Sequence, residues 1–322
     1  MPVFDMPLDE LQSYCPPRNE PDDFEAFWKE TLTDARSFDI DAVFDRVDFG
    51  LTTVDAYDVS FAGFGGQRVK GWYIVPKSSS SSLPTVVEYI GYGGGRGFPL
   101  EWLAFPSAGF AYLVMDTWGQ GSVWRRGDTP DIPNGANSSA PGFMTQGILY
   151  PHTYYYRRLY TDAVRAIDAI RTRDKVEKSR IAVTGISQGG GLSVATAGLI
   201  PEIAVCLPDV PFLANFRRAV EITPRDAYTE IARYLTIHRD KIDTVFNTLT
   251  YFDGMNFAPR MKARAYYSVG MMDTICPPST VFASFNHVKS EKDMKVYYFN
   301  DHEGGGADHI VEKIRYLRDL WM

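Results

Sequence analysis

The chain has 322 residues, of which 45% are hydrophobic and 23% charged, and its formal net charge is -7. This length allows one large domain or two ordinary ones, and the composition is typical of a globular protein. The acidic balance, with no basic cluster larger than an Arg-Arg pair, argues against a nucleic-acid surface. No apolar run approaches the roughly 20 residues of a membrane span, so neither nucleic acid nor membrane is expected as a partner.

The cysteines and the first residues bear on the compartment. Cys15, Cys206 and Cys276 are scattered, with neither metal-binding spacing nor a paired arrangement, and we interpret them as free thiols in a reducing environment. The first ten residues carry acidic side chains and no apolar core, which is not the pattern of a secretory signal. The sequence therefore predicts a cytoplasmic protein.

The first eighty residues predict an irregular beginning to a single domain spanning 1–322. Pro21-Asp22-Asp23 precedes apolar residues at helical spacing and predicts a capped helix inside an N-terminal extension of about 1–50. Residues 57–62 and 69–75 alternate around two glycines, which predicts a hairpin at a sheet edge. The serine tract from Ser78 to Ser82 predicts a surface loop, and strand patterns on both sides disfavour a domain linker.

From there the pattern alternates between strands and helices. Strands are predicted at 85–90, 110–115, 180–184, 203–207, 265–269 and 294–299, and helices at 156–171, 188–199 and 307–320. Apolar strands alternating with helices predict an α/β fold with a doubly wound, mostly parallel sheet. Residues 212–252 interrupt the alternation with helical patterns. We interpret them as an inserted helical cap over the carboxyl edge of the sheet, where ligands bind in such folds.

A Gly-x-Ser-x-Gly pentapeptide marks the turn after the strand at 180–184. It reads Gly185-Ile186-Ser187-Gln188-Gly189 and precedes a helix of small residues. The pentapeptide alone is a weak signal, but a strand before it and a helix after it are the context of a nucleophile elbow. Such a turn holds its central hydroxyl above the end of the sheet, so we predict Ser187 as a nucleophile.

A serine hydroxyl is a weak nucleophile near neutral pH and needs a histidine base. His302 follows the strand at 294–299 and precedes three glycines and a helix, so we predict it as the base. The other histidines occur in a tyrosine-rich loop, on a charged cap helix, after a helix and within the last helix: His152, His238, His287 and His309.

The base needs an orienting carboxylate. Asp273 lies just past the strand at 265–269, between two methionines and Pro277-Pro278. The chain order Ser187, Asp273, His302 is also that of the α/β-hydrolases, so we predict Asp273 as the acid. Asp209 and Asp253 are its competitors.

Two backbone N–H groups are expected to stabilise an oxyanion. The N–H of Gln188 follows the nucleophile directly, and the second donor should come from the loop after an earlier strand. That loop is Gly91-Tyr92-Gly93-Gly94-Gly95, in which Tyr92 occupies the donor position. A flexible glycine turn without this role is the alternative.

Further motifs lie between residues 119 and 306. They are Gly119-Gln120-Gly121, Gly127-Asp128-Thr129-Pro130-Asp131, Pro141-Gly142-Phe143-Met144-Thr145, Tyr154 to Arg158, Ser187 to Gly191, Asp209 to Phe212, Tyr251-Phe252-Asp253-Gly254, Asp273 to Ala283 and His302 to Gly306. In these motifs the chain most strongly resembles the carbohydrate esterase family of acetyl xylan esterases and cephalosporin C deacetylases, and the resemblance covers essentially the whole chain.

The resemblance implies an α/β-hydrolase fold with catalytic Ser187, Asp273 and His302. It implies an oxyanion hole from the backbone of Tyr92 and Gln188, with Tyr92 also contacting substrate. The expected reaction is hydrolysis of acetyl esters of small carbohydrates, with short xylo-oligosaccharides as the family expectation, through an acetyl-enzyme and without cofactor or metal. The resemblance further implies a cytoplasmic homohexamer whose active sites face an internal chamber.

One position departs from the family. The family motif reads Arg-Gly-Gln, whereas this chain has Trp118-Gly119-Gln120. We infer that the arginine supports loops near the site, so its replacement affects loop geometry, stability or activity level rather than reaction class. Arg125 and Arg126 lie too far along the chain to take its place without rearrangement. A serine peptidase of the same fold, or an α/β-hydrolase that has lost its chemistry and acts as a binding protein, are the alternatives.

Overall fold

A single sheet organises the structure. Within residues 4–77, 82–131 and 142–322, which the computed structural model describes, the strands form one nine-stranded sheet. The strands are β1 (Val43–Val47), β2 (Val54–Ala62), β3 (Arg68–Pro76), β4 (Leu83–Tyr89), β5 (Ala111–Met115), β6 (Val176–Ile186), β7 (Val205–Asp209), β8 (Arg264–Gly270) and β9 (Lys292–Tyr297). Residues 78–81 of the predicted serine loop, and Pro141, lie outside the described residues.

The helices alternate with the strands from β4 onward. They are α1 (Leu8–Ser13), α2 (Phe24–Arg36), α3 (Ala104–Ser107), α4 (Tyr155–Ile170), α5 (Gln188–Leu199), α6 (Phe216–Ile222), α7 (Ala227–Ile237), α8 (Ile242–Thr250), α9 (Gly254–Phe257), α10 (Pro278–His287) and α11 (Gly306–Trp321). In the described part of the chain, no helix is both long and apolar enough to cross a bilayer.

The strand order is β1-β2-β3-β5-β4-β6-β7-β8-β9. The pairs β1–β2, β2–β3 and β3–β5 are antiparallel, and every pair from β5 to β9 is parallel. The predicted α/β architecture, with a doubly wound and mostly parallel sheet, is therefore confirmed. Parallel strands share one carboxyl edge, and the loops after β4, β6, β8 and β9 open there.

The central strands of the sheet are buried on both faces, and neighbouring residues of each strand point into opposite cores. In β4, Val87 and Tyr89 belong to the core that contains the apolar faces of α2, α4 and α5. Val86 instead joins a second core, where Phe105 of α3 and Leu317 of α11 cover the opposite face. This double coverage explains why the central strands read as continuous apolar runs.

The hairpin prediction is right about the pairing and wrong about its position. β2 and β3 pair antiparallel as predicted, but β1 pairs with the outer side of β2, from Val43 opposite Ser60 to Val47 opposite Ala56. β1 therefore forms the edge. Its residues are all partly or fully exposed, so the strand lacks the clear alternation that a half-buried strand shows.

The predicted helical insertion contains three of the helices between β7 and β8. α6, α7 and α8 lie within residues 212–252, and α9 follows directly. The division of the chain into one domain with an extension at 1–50 and a cap at 212–252 stays a prediction.

Candidate active site

Ser187 lies at the turn between β6 and α5. Its φ of 57° and ψ of -117° are a strained conformation for a residue with a side chain. The turn has no room beside it: a Cβ on Gly185 or Gly189 would lie 2.4 or 2.0 Å from the carbonyl oxygen of Tyr89. The N–H of Ser187 donates to the carbonyl of Asp209 at 2.9 Å. Neighbouring strands thus impose the turn and fix the serine backbone.

Asp273 and His302 meet at the carboxyl edge of the sheet, in the loops after β8 and β9. His302 Nδ1 lies 2.9 Å from Asp273 Oδ2. The carboxyl group is fully buried, and its Oδ1 accepts the N–H groups of Ile275 and Cys276 at 2.8 and 2.9 Å. The acid is therefore held rigidly, and a hydrogen bond to Nδ1 leaves Nε2 of the imidazole available to another group.

Ser187 and His302 line the same cavity, of about 700 Å³. Both are among the residues that the structure describes, and no hydrogen bond joins their side chains. The Cys276 thiol lies beside the Ser187 hydroxyl, and burial raises the pKa of this thiol well above its ordinary value. The structure therefore brings the predicted nucleophile, acid and base together around one cavity without closing the serine–histidine contact.

The two competing carboxylates have other partners. Asp209 Oδ2 lies 2.5 Å from Lys313 Nζ, and burial opposes its charge, but Lys313 and His309 hold the pKa of Asp209 below its ordinary value. Asp253 accepts the backbone N–H groups of Asn215, Phe216 and Met255. Burial raises the pKa of Asp253 to about 6. Both carboxyl groups thus stabilise the fold.

The remaining histidines contact other groups. Among the described residues that line the Ser187 cavity, His302 is the one histidine. The other four contact groups outside this cavity. His309 contacts the Tyr297 hydroxyl and His287 the Pro16 carbonyl, whereas His152 packs on the Phe27 ring and His238 on the Tyr234 ring.

The predicted oxyanion donors also face the carboxyl edge. Tyr92 lies in the loop after β4, and Gln188 is the first residue of α5. In the described structure neither backbone N–H donates to a protein acceptor. The Gln188 side chain is fixed by Ile90, whose carbonyl it contacts at 3.0 Å, and by Tyr156, whose hydroxyl donates to it at 3.0 Å. Two free N–H groups on fixed backbone can bind a developing oxyanion.

Glycines let the loop after β4 pack closely against an aromatic ring. A Cβ on Gly94 would lie 2.1 Å from the Trp124 ring, and the Trp124 indole N–H donates to the Tyr92 carbonyl at 2.9 Å. The N–H of Gly93 donates to Gln120 at 2.7 Å. The loop is therefore a supported structure rather than a free glycine turn.

Several residues that line this cavity had no individual role predicted from the sequence, among them Val123, Trp124, Phe212 and Glu230. Phe212 and Glu230 lie within the predicted cap at 212–252. Trp124 and Val123 follow β5 in a segment without a motif, and half of each side chain is exposed. Glu230 is on α7, far along the chain from the pentapeptide. The sequence offers one signal, a tryptophan between the motifs at 119–121 and 127–131.

Trp118 occupies a buried position beneath a cation. The Arg158 guanidinium carbon lies 3.8 Å from the ring centroid, and Arg158 also forms an ion pair with Asp131 at 3.3 Å. The Tyr155 hydroxyl donates to the Trp118 carbonyl at 2.5 Å, while no described residue accepts the indole N–H. Arg125 and Arg126 form ion pairs elsewhere and do not replace the family arginine.

Asp273, Cys276 and His302 also place metal-ligand atoms within 4.8 Å of one another. The carboxylate contacts one imidazole and two N–H groups, which occupy three of its roughly four lone-pair sites. This arrangement fits an acid that orients a base better than it fits a metal ligand.

Comparison with known proteins gives one consistent family. The family model for acetyl xylan esterase (AXE1) matches residues 1–320. The acetyl esterase Axe7A of Xylanibacter ruminicola is 27% identical over 312 residues, which are 95% of this chain and 68% of that protein.

Solved structures agree with this match. An acetyl xylan esterase from Paenibacillus sp. R4 has a TM-score of 0.91 at 40% identity, over 98% of this chain and 99% of that chain. Acetyl xylan esterase 1 from Thermoanaerobacterium sp. JW/SL YS485 has a TM-score of 0.90 at 31% identity, over 99% and 100%. The expected α/β-hydrolase fold is thereby confirmed. The chain belongs to the acetyl xylan esterase (AXE1) family and is a carboxylic ester hydrolase.

Proposed function

We propose that the protein removes acetyl groups from small acetylated carbohydrates by a serine mechanism with Ser187, Asp273 and His302. The contact between His302 Nδ1 and Asp273 Oδ2, at 2.9 Å on the rim of the cavity that Ser187 lines, is the observation that carries the proposal. It supplies an oriented base with its second nitrogen unused. The strained turn supplies the nucleophile.

In the first step Ser187 Oγ attacks the acetyl carbonyl carbon and His302 Nε2 takes the hydroxyl proton. Asp273 holds the proton on Nδ1 and stabilises the imidazolium that forms. The carbonyl oxygen becomes an oxyanion, which the N–H groups of Tyr92 and Gln188 bind; one such donor contributes on the order of 3 kcal/mol to transition-state stabilisation. The intermediate collapses as the sugar oxygen leaves with the proton from His302.

In the second step water hydrolyses the acetyl-enzyme. His302 Nε2 takes a proton from water, the hydroxide oxygen attacks the acetyl carbon, and the bond to Ser187 Oγ breaks. The serine oxygen regains a proton from His302, and acetate is released. The same two N–H groups bind the oxyanion again, so one site serves both halves of the reaction.

The cavity supports a small substrate. Its volume of about 700 Å³ falls in the range of roughly 300–1,000 Å³ that is typical of small-molecule sites. Short acetylated xylo-oligosaccharides are the substrates we propose first, with cephalosporin C-type acetyl esters second. Acetate release from a panel of acetylated sugars, compared with longer acyl esters, measures this preference directly.

We also propose a cytoplasmic homohexamer, on the family resemblance. The three unpaired cysteines, of which Cys206 and Cys276 are buried, support a reducing compartment. Light scattering of the purified protein gives the assembly: six copies support the proposal, and a monomer contradicts it.

The mechanism is tested with Ser187→Ala and with Ser179→Ala as a matched control on an exposed part of β6. Ser187→Ala should lower kcat for acetate release by at least about 10⁴-fold, because the substitution removes the hydroxyl that forms the acyl-enzyme, while its Tm stays unchanged. A serine-reactive phosphonate should label the wild type and Ser179→Ala. Retained turnover in Ser187→Ala would exclude the serine mechanism.

A further inference from the structure

The hydroxyl group of Tyr92 is a junction between three segments. It donates to both carboxylate oxygens of Glu230, at 2.8 and 3.0 Å. It also accepts the backbone N–H groups of Gly142 and Phe143, at 3.2 and 2.9 Å. A tyrosine hydroxyl has one proton to donate and accepts through its oxygen, so these contacts use its hydrogen-bonding capacity. The hydroxyl is therefore committed to the protein rather than to substrate.

Glu230 completes the junction from α7. Besides the Tyr92 hydroxyl it accepts the N–H of Met144 at 3.1 Å. Burial raises the pKa of Glu230, although the Tyr92 and Met144 hydrogen bonds act in the opposite direction. One carboxylate thus joins the loop after β4, the turn at Phe143–Thr145 and a helix from the segment between β7 and β8.

The loop after β4 needs such an anchor. It contains four glycines, and Gly93 has a φ of 77°. Glycine-rich backbone has few intrinsic restraints. The peptide group between Tyr92 and Gly93 is held at its carbonyl by Trp124 and at its N–H by Gln120. The side chain supplies the third restraint, and that restraint ends on Glu230.

We propose that Glu230 is a positioning residue for ester hydrolysis: through the Tyr92 hydroxyl it fixes the Tyr92 backbone N–H where the oxyanion forms. The inference rests on the proposed oxyanion hole of Tyr92 and Gln188. Glu230 touches no reacting atom in this role. Loss of Glu230 should therefore destabilise the transition state, because the Tyr92 N–H binds the oxyanion that forms there. A displacement of such a group by about 1 Å can lower the rate by about 10²-fold.

The test compares Glu230→Ala, Glu230→Gln and Tyr92→Phe. Glu221→Ala is the control, because Glu221 is an exposed glutamate of α6 whose ion-pair partner is Arg217. With a small acetyl ester, Glu230→Ala and Tyr92→Phe should each lower kcat by about 10–100-fold and change KM by less than about threefold. Glu230→Gln keeps an acceptor for the Tyr92 hydroxyl and should lose less than Glu230→Ala. Glu221→Ala should match the wild type.

A double variant separates positioning from a general loss of structure. If Glu230 acts through Tyr92, adding Tyr92→Phe to Glu230→Ala should reduce kcat little further, because both changes break the same contact. Multiplying effects, an unchanged kcat, or a raised KM alone would overturn the inference. If Glu230→Ala does not fold, the same comparison with Glu230→Gln decides. Failure of the serine mechanism is seen separately, as activity retained by Ser187→Ala.

Discussion

Two buried aspartates lie close to histidines at the carboxyl edge of the sheet, and they have different surroundings. Asp273 contacts His302 at 2.9 Å, and His302 lines the cavity that contains Ser187. Asp209 Oδ1 lies 3.1 Å from His309 Nε2, but the buried Lys313 ammonium lies 2.5 Å from its other oxygen.

The two aspartates differ in what their neighbouring histidine can contact. His309 is almost fully buried, and its Nδ1 faces the Tyr297 hydroxyl. His302 is a quarter exposed and faces a cavity with a serine. An Asp–His pair is therefore not a sign of catalysis by itself. It becomes one where the second ring nitrogen opens to a nucleophile and a substrate.

Breaking the contact between Asp273 and His302 should cause the largest loss of activity among the aspartate variants. Asp273→Asn should lower kcat by about 10⁴-fold, because an amide at this position favours the wrong imidazole tautomer. The amide oxygen can still accept the N–H groups of Ile275 and Cys276, so Tm should fall little. The measurement is acetate release together with thermal unfolding. Activity within tenfold of the wild type would remove Asp273 from the mechanism.

Breaking the contact between Asp209 and Lys313 should lower stability and leave the activity of the folded protein nearly unchanged. Asp209→Asn leaves the Lys313 ammonium buried without its counter-ion and should reduce the free energy of unfolding by about 3–5 kcal/mol. The kcat of the folded fraction should stay within about threefold. Asp209→Asn combined with Lys313→Met should recover part of the stability, measured by denaturant unfolding. A large loss of kcat at full stability would assign Asp209 to the chemistry.

Substitution of Trp118 tests whether a second positive charge is tolerated beside Arg158. Trp118→Arg restores the family residue but puts a second guanidinium against Arg158, whose charge lies 3.8 Å from the present ring. We expect a loss of about 2–3 kcal/mol in unfolding free energy, since like charges are poorly tolerated where they are buried. Trp118→Phe keeps a ring beneath Arg158 and should lose less. A stabilised Trp118→Arg variant would show that the loop readily accommodates the family arginine.

A third buried carboxylate should give an effect on stability that depends on pH. Burial raises the pKa of Asp162 to about 7, and its Oδ1 accepts the Phe64 N–H at 2.7 Å. Because the folded state binds the proton more tightly than the unfolded chain, this contribution to stability is complete below about pH 4 and is lost as pH rises through 7.

The measurement compares the wild type with Asp162→Asn. As pH rises from 5 to 8, the wild type should lose up to a few kcal/mol of unfolding free energy relative to Asp162→Asn. The same comparison with Asp209→Asn is the control, because the pKa of Asp209 is lowered rather than raised. A difference for Asp162→Asn that does not change with pH would contradict the raised pKa.

The sequence predicted the features that depend on local pattern. Gln188–Leu199 begins and ends as predicted, and the loops that carry Asp273 and His302 follow β8 and β9 as expected. The apolar run of β8 marks a buried strand, whereas β9 is a partly exposed edge strand. β1 was missed, since an exposed edge strand has little apolar periodicity. β6 begins earlier than predicted because residues 177–180, which follow the buried Val176, are polar and partly or fully exposed.

Contacts between distant segments could not be predicted. Tyr92 and Glu230 are separated by 138 positions, and a glutamate on an amphipathic helix is normally a solvated residue. The Lys313–Asp209 pair spans 104 positions, and nothing local distinguishes this lysine on α11. The family resemblance supplied residue roles, but these tertiary contacts appear only in the folded chain.

In the proposed mechanism Ser187 carries the acetyl group between the two halves of the reaction. The direct measurement is rapid quenching during turnover of an acetyl ester, followed by mass spectrometry of the digested protein. We expect an acetyl adduct on the peptide that contains Ser187, and none in Ser187→Ala. Acetate release without an adduct at Ser187, or with the acetyl group on another residue such as Cys276, would contradict it.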